Sequence, residues 1–428
     1  MSAPVLFRGG RVIDPSRNTD GPADLLVADG RIAGVGHNIT PPEGATITDI
    51  PGLVVGPGLI DLHVHLREPG QEELETVATG AMAAAAGGFT AVCAMPNTDP
   101  VTDNQATVGF IVRQSMRAAK ARVYPIGAVT LGQRGEKLAE FGEMVGAGAV
   151  AVSDDGKPVA SSHMMRTALE YARTFNIPVA DHCEDMSLAE GGAMHEGIIS
   201  TRLGLKGIPA AAEEIMVARD IILAELTGGH VHLCHMSTRG SVELIRRGKE
   251  KGIRVTAEAT PHHFSLTHTA CEGYHTNAKM NPPLREDADR DAIRQALKDG
   301  TIDVVASDHA PHGYDAKERE FDQAPNGILG LETALGLAIT ELVIPGLLTL
   351  PQLMLRMSTT AARIFGLPGG TLSVGAPADL VIFDPAAVWT VEPSRFYSKS
   401  RNTPFGGRQL TGRVEQTLVG GRTVYSRV

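Results

Sequence analysis

The feature that most constrains this chain is an alternation through its middle. From about residue 56 to 367, short apolar runs alternate with helical patterns. Eight of the runs have strand length: 59–65, 89–95, 121–128, 147–152, 177–181, 230–234, 254–259 and 303–307. Helical spacing separates many of them, as at 164–173, 213–226 and 290–297. Parallel strands need long crossovers, which helices supply, so this pattern specifies βα units around a parallel sheet. Eight units predict a closed (β/α)8 barrel, and an open doubly wound sheet is the alternative. No GxGxxG opens a helix after the first run, which weakens that alternative.

The two ends read differently. Runs at 5–13 and 23–32 are broken by Gly9-Gly10 and Asp29-Gly30, which are hairpin signals. A strand-like run at 378–385 stops at Pro385, and the closing stretch is split by Gly420-Gly421. Chain termini often lie close together, so both ends are expected to build one small β domain.

Composition narrows the function. The net charge is −10 with no basic stripe, which argues against nucleic-acid binding. Four cysteines, Cys93, Cys183, Cys234 and Cys271, form no CxxC pair, so no disulfide framework is expected. No apolar run is long enough to span a membrane, and the N-terminus lacks a signal pattern; the expected location is the cytoplasm.

Polar residues collect where the apolar runs end. The first run finishes in Asp61-Leu62-His63-Val64-His65, the fourth in Asp154-Asp155 and the fifth in Asp181-His182-Cys183-Glu184. The sixth gives Cys234-His235, the seventh His262-His263 and the eighth Asp308-His309. Barrel enzymes build their sites at the C-terminal ends of their strands. His63 and His65, two apart on a strand, face the same side and can share one metal. Each residue alone has a plainer explanation: a hydrogen-bonded core histidine, or a helix cap at Asp308. Together, imidazoles and carboxylates at one barrel mouth predict a metal centre of the zinc type. His262 and His263 read as neighbours of that centre rather than ligands, and His268 and His275 as surface residues. Gly-Gly at 87–88 and 369–370 reads as turn chemistry.

These residues carry a family resemblance. The segments "DLHVHLREP" at 61–69 and "ASDHAPHGYDAK" at 306–317 resemble the two signature motifs of dihydroorotases. "MPNT" at 95–98, "DHCED" at 181–185, "HLCHMST" at 232–238, "KMNPPLR" at 279–285 and "NTPF" at 402–405 extend the match over nearly the whole chain. The chain is most similar to the longer, class I bacterial branch of this amidohydrolase family. The resemblance implies a distorted (β/α)8 barrel at 56–367 and a small β-sandwich from 1–55 and 368–428. It implies that His63, His65 and Asp308 hold one zinc ion, that His182 and His235 hold a second, and that Asp155 joins them. Asp155 rather than Asp154 matches because it directly precedes the glycine of "DDG". Many amidohydrolases use a carboxylated lysine as the bridge; none stands at that strand end here, so one ion in place of two is the alternative. Arg67, Asn97, Asn281 and His312 match substrate-binding positions, and Asn326-Gly327 matches a loop that contacts the pyrimidine ring, although relatives often carry an aromatic at the position of Asn326.

The implied reaction is reversible hydrolysis of dihydroorotate to carbamoyl aspartate in pyrimidine biosynthesis. Asp308 is expected to shuttle the proton and Arg67 to clamp the substrate carboxylate. The plain alternative for Arg67 is a surface salt bridge with Glu68 or Glu72. The charged segment 312–325 reads as a mobile loop. The resemblance also implies a homodimer, and leaves room for association with aspartate transcarbamoylase. Two other functions compete: another cyclic amidase, such as a hydantoinase or allantoinase, and an inactive dihydroorotase-like partner of aspartate transcarbamoylase.

Overall fold

A computed structural model describes residues 3–427; residues 1–2 and 428, the outermost of the two terminal segments, lie outside the described residues. Its centre is a ring of eight parallel strands: Leu59–Val64, Phe89–Ala94, Arg122–Pro125, Val152–Ser153, Val179–Asp181, Val231–Leu233, Val255–Ala259 and Val304–Val305. The first three pair in one sheet and the last five in another. Isolated parallel bridges, Gly127 to Val152 and Val64 to His309, join the sheets at both seams. Backbone bonds from Ser153 N to Gly127 O (2.8 Å) and from His65 N to His309 O (2.9 Å) hold those seams. The sequence therefore forms the (β/α)8 barrel that its alternation predicts.

Local chemistry starts the crossover helices cleanly. Thr76 forms a capping box with Thr79 ahead of Val77–Ala86, and Asn104, Ser161 and Thr238 cap Gln105–Ala118, Ser162–Thr174 and Arg239–Glu250 through their side chains. The first, second and sixth strands are buried on both faces, as parallel strands under helices are expected to be. Ile60, Leu62, Ala91, Cys93, Ala180 and Val304 cluster together and are closed off by Phe365.

The fourth strand departs from expectation. It covers only Val152–Ser153, because Ala147 ends the helix Phe141–Ala147 and Gly148 turns the chain with φ +116°. The Ala/Val/Gly run there has no period that separates helix from strand.

The termini meet in one hydrogen-bonded sheet of eight strands. Val54–Pro57 joins the two ends, running parallel to Val5–Asp14 and antiparallel to Leu380–Thr390. Asp29-Gly30 and Gly420-Gly421 sit at hairpin turns with positive φ. Gly9-Gly10 instead marks a register shift inside the single strand Val5–Asp14, so it is a bulge and not a hairpin. Phe7, Val12, Leu25, Val55, Leu380 and Ile382 form this sheet's own core. Among the described residues, no helix is long and apolar enough to cross a membrane.

Candidate active site

The strand ends converge. His63 and His65 leave the first strand, Asp155 follows the fourth, His182 the fifth, His235 the sixth and Asp308 the eighth. All six are buried. The Asp155 carboxylate lies between two histidine pairs. Its Oδ2 is 3.4 Å from His63 Nε2 and 3.5 Å from His65 Nε2, and its Oδ1 is 3.3 Å from His235 Nε2 and 3.6 Å from His182 Nδ1. Asp308 Oδ1 is 3.1 Å from His65 Nε2 and 3.5 Å from His63 Nε2. Asp154 points elsewhere, accepting the backbone N–H and hydroxyl of Thr130. Arg67, His235 and Asp308 all have left-handed backbones, with φ of 62°, 38° and 46°. Non-glycine residues hold such angles only where their surroundings enforce them, and sites are where this collects.

The cluster is electrostatically coherent. Burial alone would raise the Asp155 and Asp308 carboxyls, but the facing histidines hold both below the usual carboxylate range. Behind it, Glu258 is fully buried: Oε1 accepts from His63 Nδ1 at 2.6 Å and from His235 N at 3.2 Å, and Oε2 pairs with His232 Nε2 at 3.0 Å. Burial opposes ionisation there too, yet His63 and His232 bring Glu258 down to about 2.

A cavity of about 260 Å³ opens over the cluster, lined by His65, Arg67, Asn97, Asp155, His182, His235, Asn281, Asp308, His312 and Asn326, with Gly156, Met280 and Ala310. Arg67 is only 8% exposed and has no carboxylate within ion-pair reach among the described residues, which rules out the surface salt bridge. Its Nε donates to Pro311 O at 3.2 Å and its Nη2 lies 3.3 Å from His312 Nε2. Burial pulls the guanidinium down to about 10, still charged at neutral pH. Burial, then the Arg67 charge, lowers His312 to about 3, so its ring is neutral. Asn97 Oδ1 accepts from His65 Nδ1 at 2.8 Å, which leaves the Asn97 amide N–H groups for a ligand.

Gly327 does not line the cavity. A Cβ there, at φ +152°, would lie 2.6 Å from His312 Cδ2 and 2.7 Å from Ala310 O, so this glycine makes room for His312. His263 is committed to Thr260 Oγ1 and Pro282 O, away from the cluster. His268, expected at the surface, is buried beside His195. His275 is exposed.

Residues 52–241 match a family described as Dihydro-orotase-like, and residues 253–425 match the Amidohydrolase family. A dihydroorotase of Anaeromyxobacter dehalogenans is 53% identical over 427 residues, covering 99% of this chain and 98% of that protein. A dihydroorotase of Pelotomaculum thermopropionicum is 55% identical over 420 residues, covering 98% of each. The chain belongs to the dihydroorotase family. Among solved structures, an L-hydantoinase (dihydropyrimidinase) from Arthrobacter aurescens superimposes with a TM-score of 0.90 at 26% identity, covering 100% of this chain and 98% of that one.

The dihydroorotase-family relatives point to a metal cofactor, and the residues of the cluster fit one. His63 Nε2 is fully buried with no hydrogen-bond partner, while facing both carboxylates. Two overlapping sets, His63/His65/Asp308 and His63/Asp155/His235, bring their donor atoms within 4.8 Å of one another. Mixed imidazole and carboxylate donors are the chemistry that zinc-type ions take.

The motifs of this dihydroorotase-family site contain two of its supports, Glu184 and Asn402, without giving them a role, and leave out Glu258. Glu258 is one support, a fully buried acid in the short strand Val255–Ala259, and a carboxylate inside a barrel strand was its only signal. Glu184 is another: its Oε2 meets Asn281 Nδ2 at 3.1 Å and His182 Nε2 at 3.4 Å. Asn402 is the third, donating to Ala310 O and Gly327 O and accepting from His312 N.

Proposed function

We propose that the chain catalyses the reversible zinc-dependent hydrolysis of (S)-dihydroorotate to N-carbamoyl-L-aspartate, within the barrel at 56–367. The observation that carries this is Arg67, a buried guanidinium with no carboxylate partner among the described residues, which lines the cavity beside the histidine–aspartate cluster. A site for a neutral ring has no use for an unpaired buried cation, whose burial is costly, whereas a ring bearing a carboxylate completes it. Bidentate pairing with that carboxylate, aided by the free amide of Asn97, would set the ring over the cluster.

His63, His65 and Asp308 would hold one zinc ion, and His182 and His235 a second, with Asp155 between them. Bound zinc supplies a nucleophile at neutral pH by lowering the pKa of water from 15.7 toward about 7, and it polarises the amide carbonyl. Asp308 accepts the proton of the attacking water and returns it to the ring nitrogen as the amide C–N bond breaks. In the reverse direction it takes the proton from the carbamoyl nitrogen as the ring closes. His312, Asn281 and Asn326 line the rest of the cavity and shape it for the ring. A cytoplasmic homodimer, able to associate with aspartate transcarbamoylase, completes the reading.

A second reading is hydrolysis of a neutral cyclic amide, favoured by the likeness to the L-hydantoinase fold. The two separate in one assay of the purified protein with dihydroorotate, hydantoin and allantoin. Dihydroorotate is expected to give a kcat/KM at least about 10²-fold higher than either neutral ring, the scale on which a site with an unmet charged partner rejects an analogue. Comparable turnover of hydantoin would overturn the proposal.

A further inference from the structure

The segment 312–325 does not have the contacts of a loose loop. Tyr314–Lys317 is helical, and Lys317 is only 4% exposed. Its ammonium points back into the protein and donates to three carbonyls: Pro325 O at 2.8 Å, Thr276 O at 3.1 Å and Lys279 O at 3.4 Å. No carboxylate lies within ion-pair reach of it among the described residues. Three N–H donors thus meet three acceptors, which is the full capacity of a lysine.

A second lysine works in the opposite direction. Lys279 is 5% exposed, and its ammonium donates to Ala324 O at 2.7 Å and Asp322 O at 3.0 Å. Lys317 lies on the 312–325 segment and grips carbonyls of 276–279; Lys279 lies on that second segment and grips carbonyls of the first. Two more bonds tie the same strips together, Thr276 Oγ1 to Lys317 O at 2.5 Å and Gly327 N to Lys279 O at 3.0 Å. Each strip carries part of the cavity wall: Met280 and Asn281 directly follow Lys279, His312 begins the other segment, and Asn326 follows Pro325.

We infer that Lys317 and Lys279 form a reciprocal clasp that fixes the separation of Asn281 from His312 and Asn326, and so act as positioning residues for the substrate. The inference rests on the reading of those three residues as substrate contacts. Neither ammonium touches the cavity or the metal-binding cluster. A buried ammonium without a counter-ion is costly and persists only where its geometry is complete. Burial, then the charge of Lys279, brings Lys317 down to about 7, which is consistent with that cost being borne. A clasp of this kind acts on substrate placement, and a misplacement of about 1 Å can cost about 10²-fold in rate at a given substrate level. It also gives a use to Lys317, the last residue of the 306–317 motif, which the proposed chemistry leaves idle.

The test compares Lys317→Met, Lys279→Met and His312→Ala with the parent protein, each loaded with zinc, using dihydroorotate as substrate. Lys317→Met is expected to raise KM about tenfold while kcat changes no more than about threefold and bound zinc is unchanged. Amide exchange across 313–325 should quicken at the same time. Lys279→Met should repeat the split from the other strip, and the double variant should fall well short of the product of the singles, since both grip the same pair of segments. A KM change below threefold in Lys317→Met overturns the inference, and so does a parallel loss of kcat and zinc, which marks a general collapse. If Lys317→Met does not fold, Lys279→Met decides by the same criteria. In the unmodified protein, exchange in 313–325 as fast as in the exposed surface turns overturns the clasp without any variant. His312→Ala separates the two claims. If it leaves KM unchanged, the substrate reading of the wall fails. If it raises KM while Lys317→Met does not, the clasp fails.

Discussion

Replacing Glu258 with glutamine tests how far the histidines proposed to hold the metal depend on the residue behind them. In the parent, one Glu258 oxygen accepts a 2.6 Å bond from His63 Nδ1 and the backbone N–H of His235 at 3.2 Å, and the other meets His232 Nε2 at 3.0 Å. Glutamine keeps the shape and one acceptor oxygen but loses the charge. A hydrogen bond to a charged group contributes about 1.5–3 kcal/mol, against about 0.5–1.5 kcal/mol for a neutral one. His232 can adjust to the new amide, because its Nδ1 lies 2.9 Å from the Thr256 hydroxyl, which can donate or accept. The net loss is then about 1.4–2.7 kcal/mol, centred on His63, and it appears as weaker metal binding. That corresponds to about 10–100-fold, the usual effect of removing a partner behind a metal-ligating histidine. The assay is equilibration in a series of buffers of fixed free zinc, with bound zinc measured by elemental analysis. The half-saturation point of Glu258→Gln should move up by that factor, while kcat per bound zinc stays within about threefold. A midpoint equal to the parent's would refute the claim that Glu258 orients and strengthens the ligands.

Three further outcomes are expected. Asp308→Asn should retain much of its metal yet lose at least about 10²-fold in kcat, the scale of acid–base catalysis; near-normal turnover would remove Asp308 from the proton path. Arg67→Lys keeps the charge but not the planar fork, so KM for dihydroorotate should rise with little change in kcat, and an unchanged KM would place the substrate carboxylate elsewhere. Glu332 does not line the cavity, and burial holds its carboxyl up at about 7, above the usual 4.5. The folded state therefore favours the protonated acid, a contribution present below the unfolded value and lost as pH rises through about 7. Glu332→Gln should accordingly melt about 1–4 °C above the parent at pH 8 and no higher at pH 5, measured by calorimetry; a pH-independent difference would contradict the assignment.

Residues whose role depends on strand position were legible in the sequence. His63 and His65 declare themselves because a period of two puts both on one face of a strand, and Asp155, His182, His235 and Asp308 close the fourth, fifth, sixth and eighth strands of the same barrel. What lies between elements was not legible. Asp154 and Asp155 are equivalent by alternation alone, and only the fold sends one to Thr130 and the other between the histidines. His268 has no local mark of burial, because the residues that cover it come from elsewhere in the chain. The charged run after His312 suggests a solvated loop, but its lysine, Lys317, finds a cage of carbonyls that no pairwise pattern encodes. Gly9-Gly10 carries the composition of a turn, while its neighbours on both sides pair with the same partner strand and keep the chain extended.

The central claim is that one cluster at the barrel mouth, built from six side chains at the ends of five strands, holds the metal on which turnover depends. The most direct measurement is a single titration: strip the purified protein with a chelator, then add zinc back while following bound metal and dihydroorotate hydrolysis together. Activity should vanish on stripping and return in proportion to zinc taken up, saturating at two ions or fewer per chain, and a His63/His182/His235 triple alanine variant should neither bind nor turn over. Full activity in the stripped protein, or tight zinc uptake by the triple variant, would contradict it.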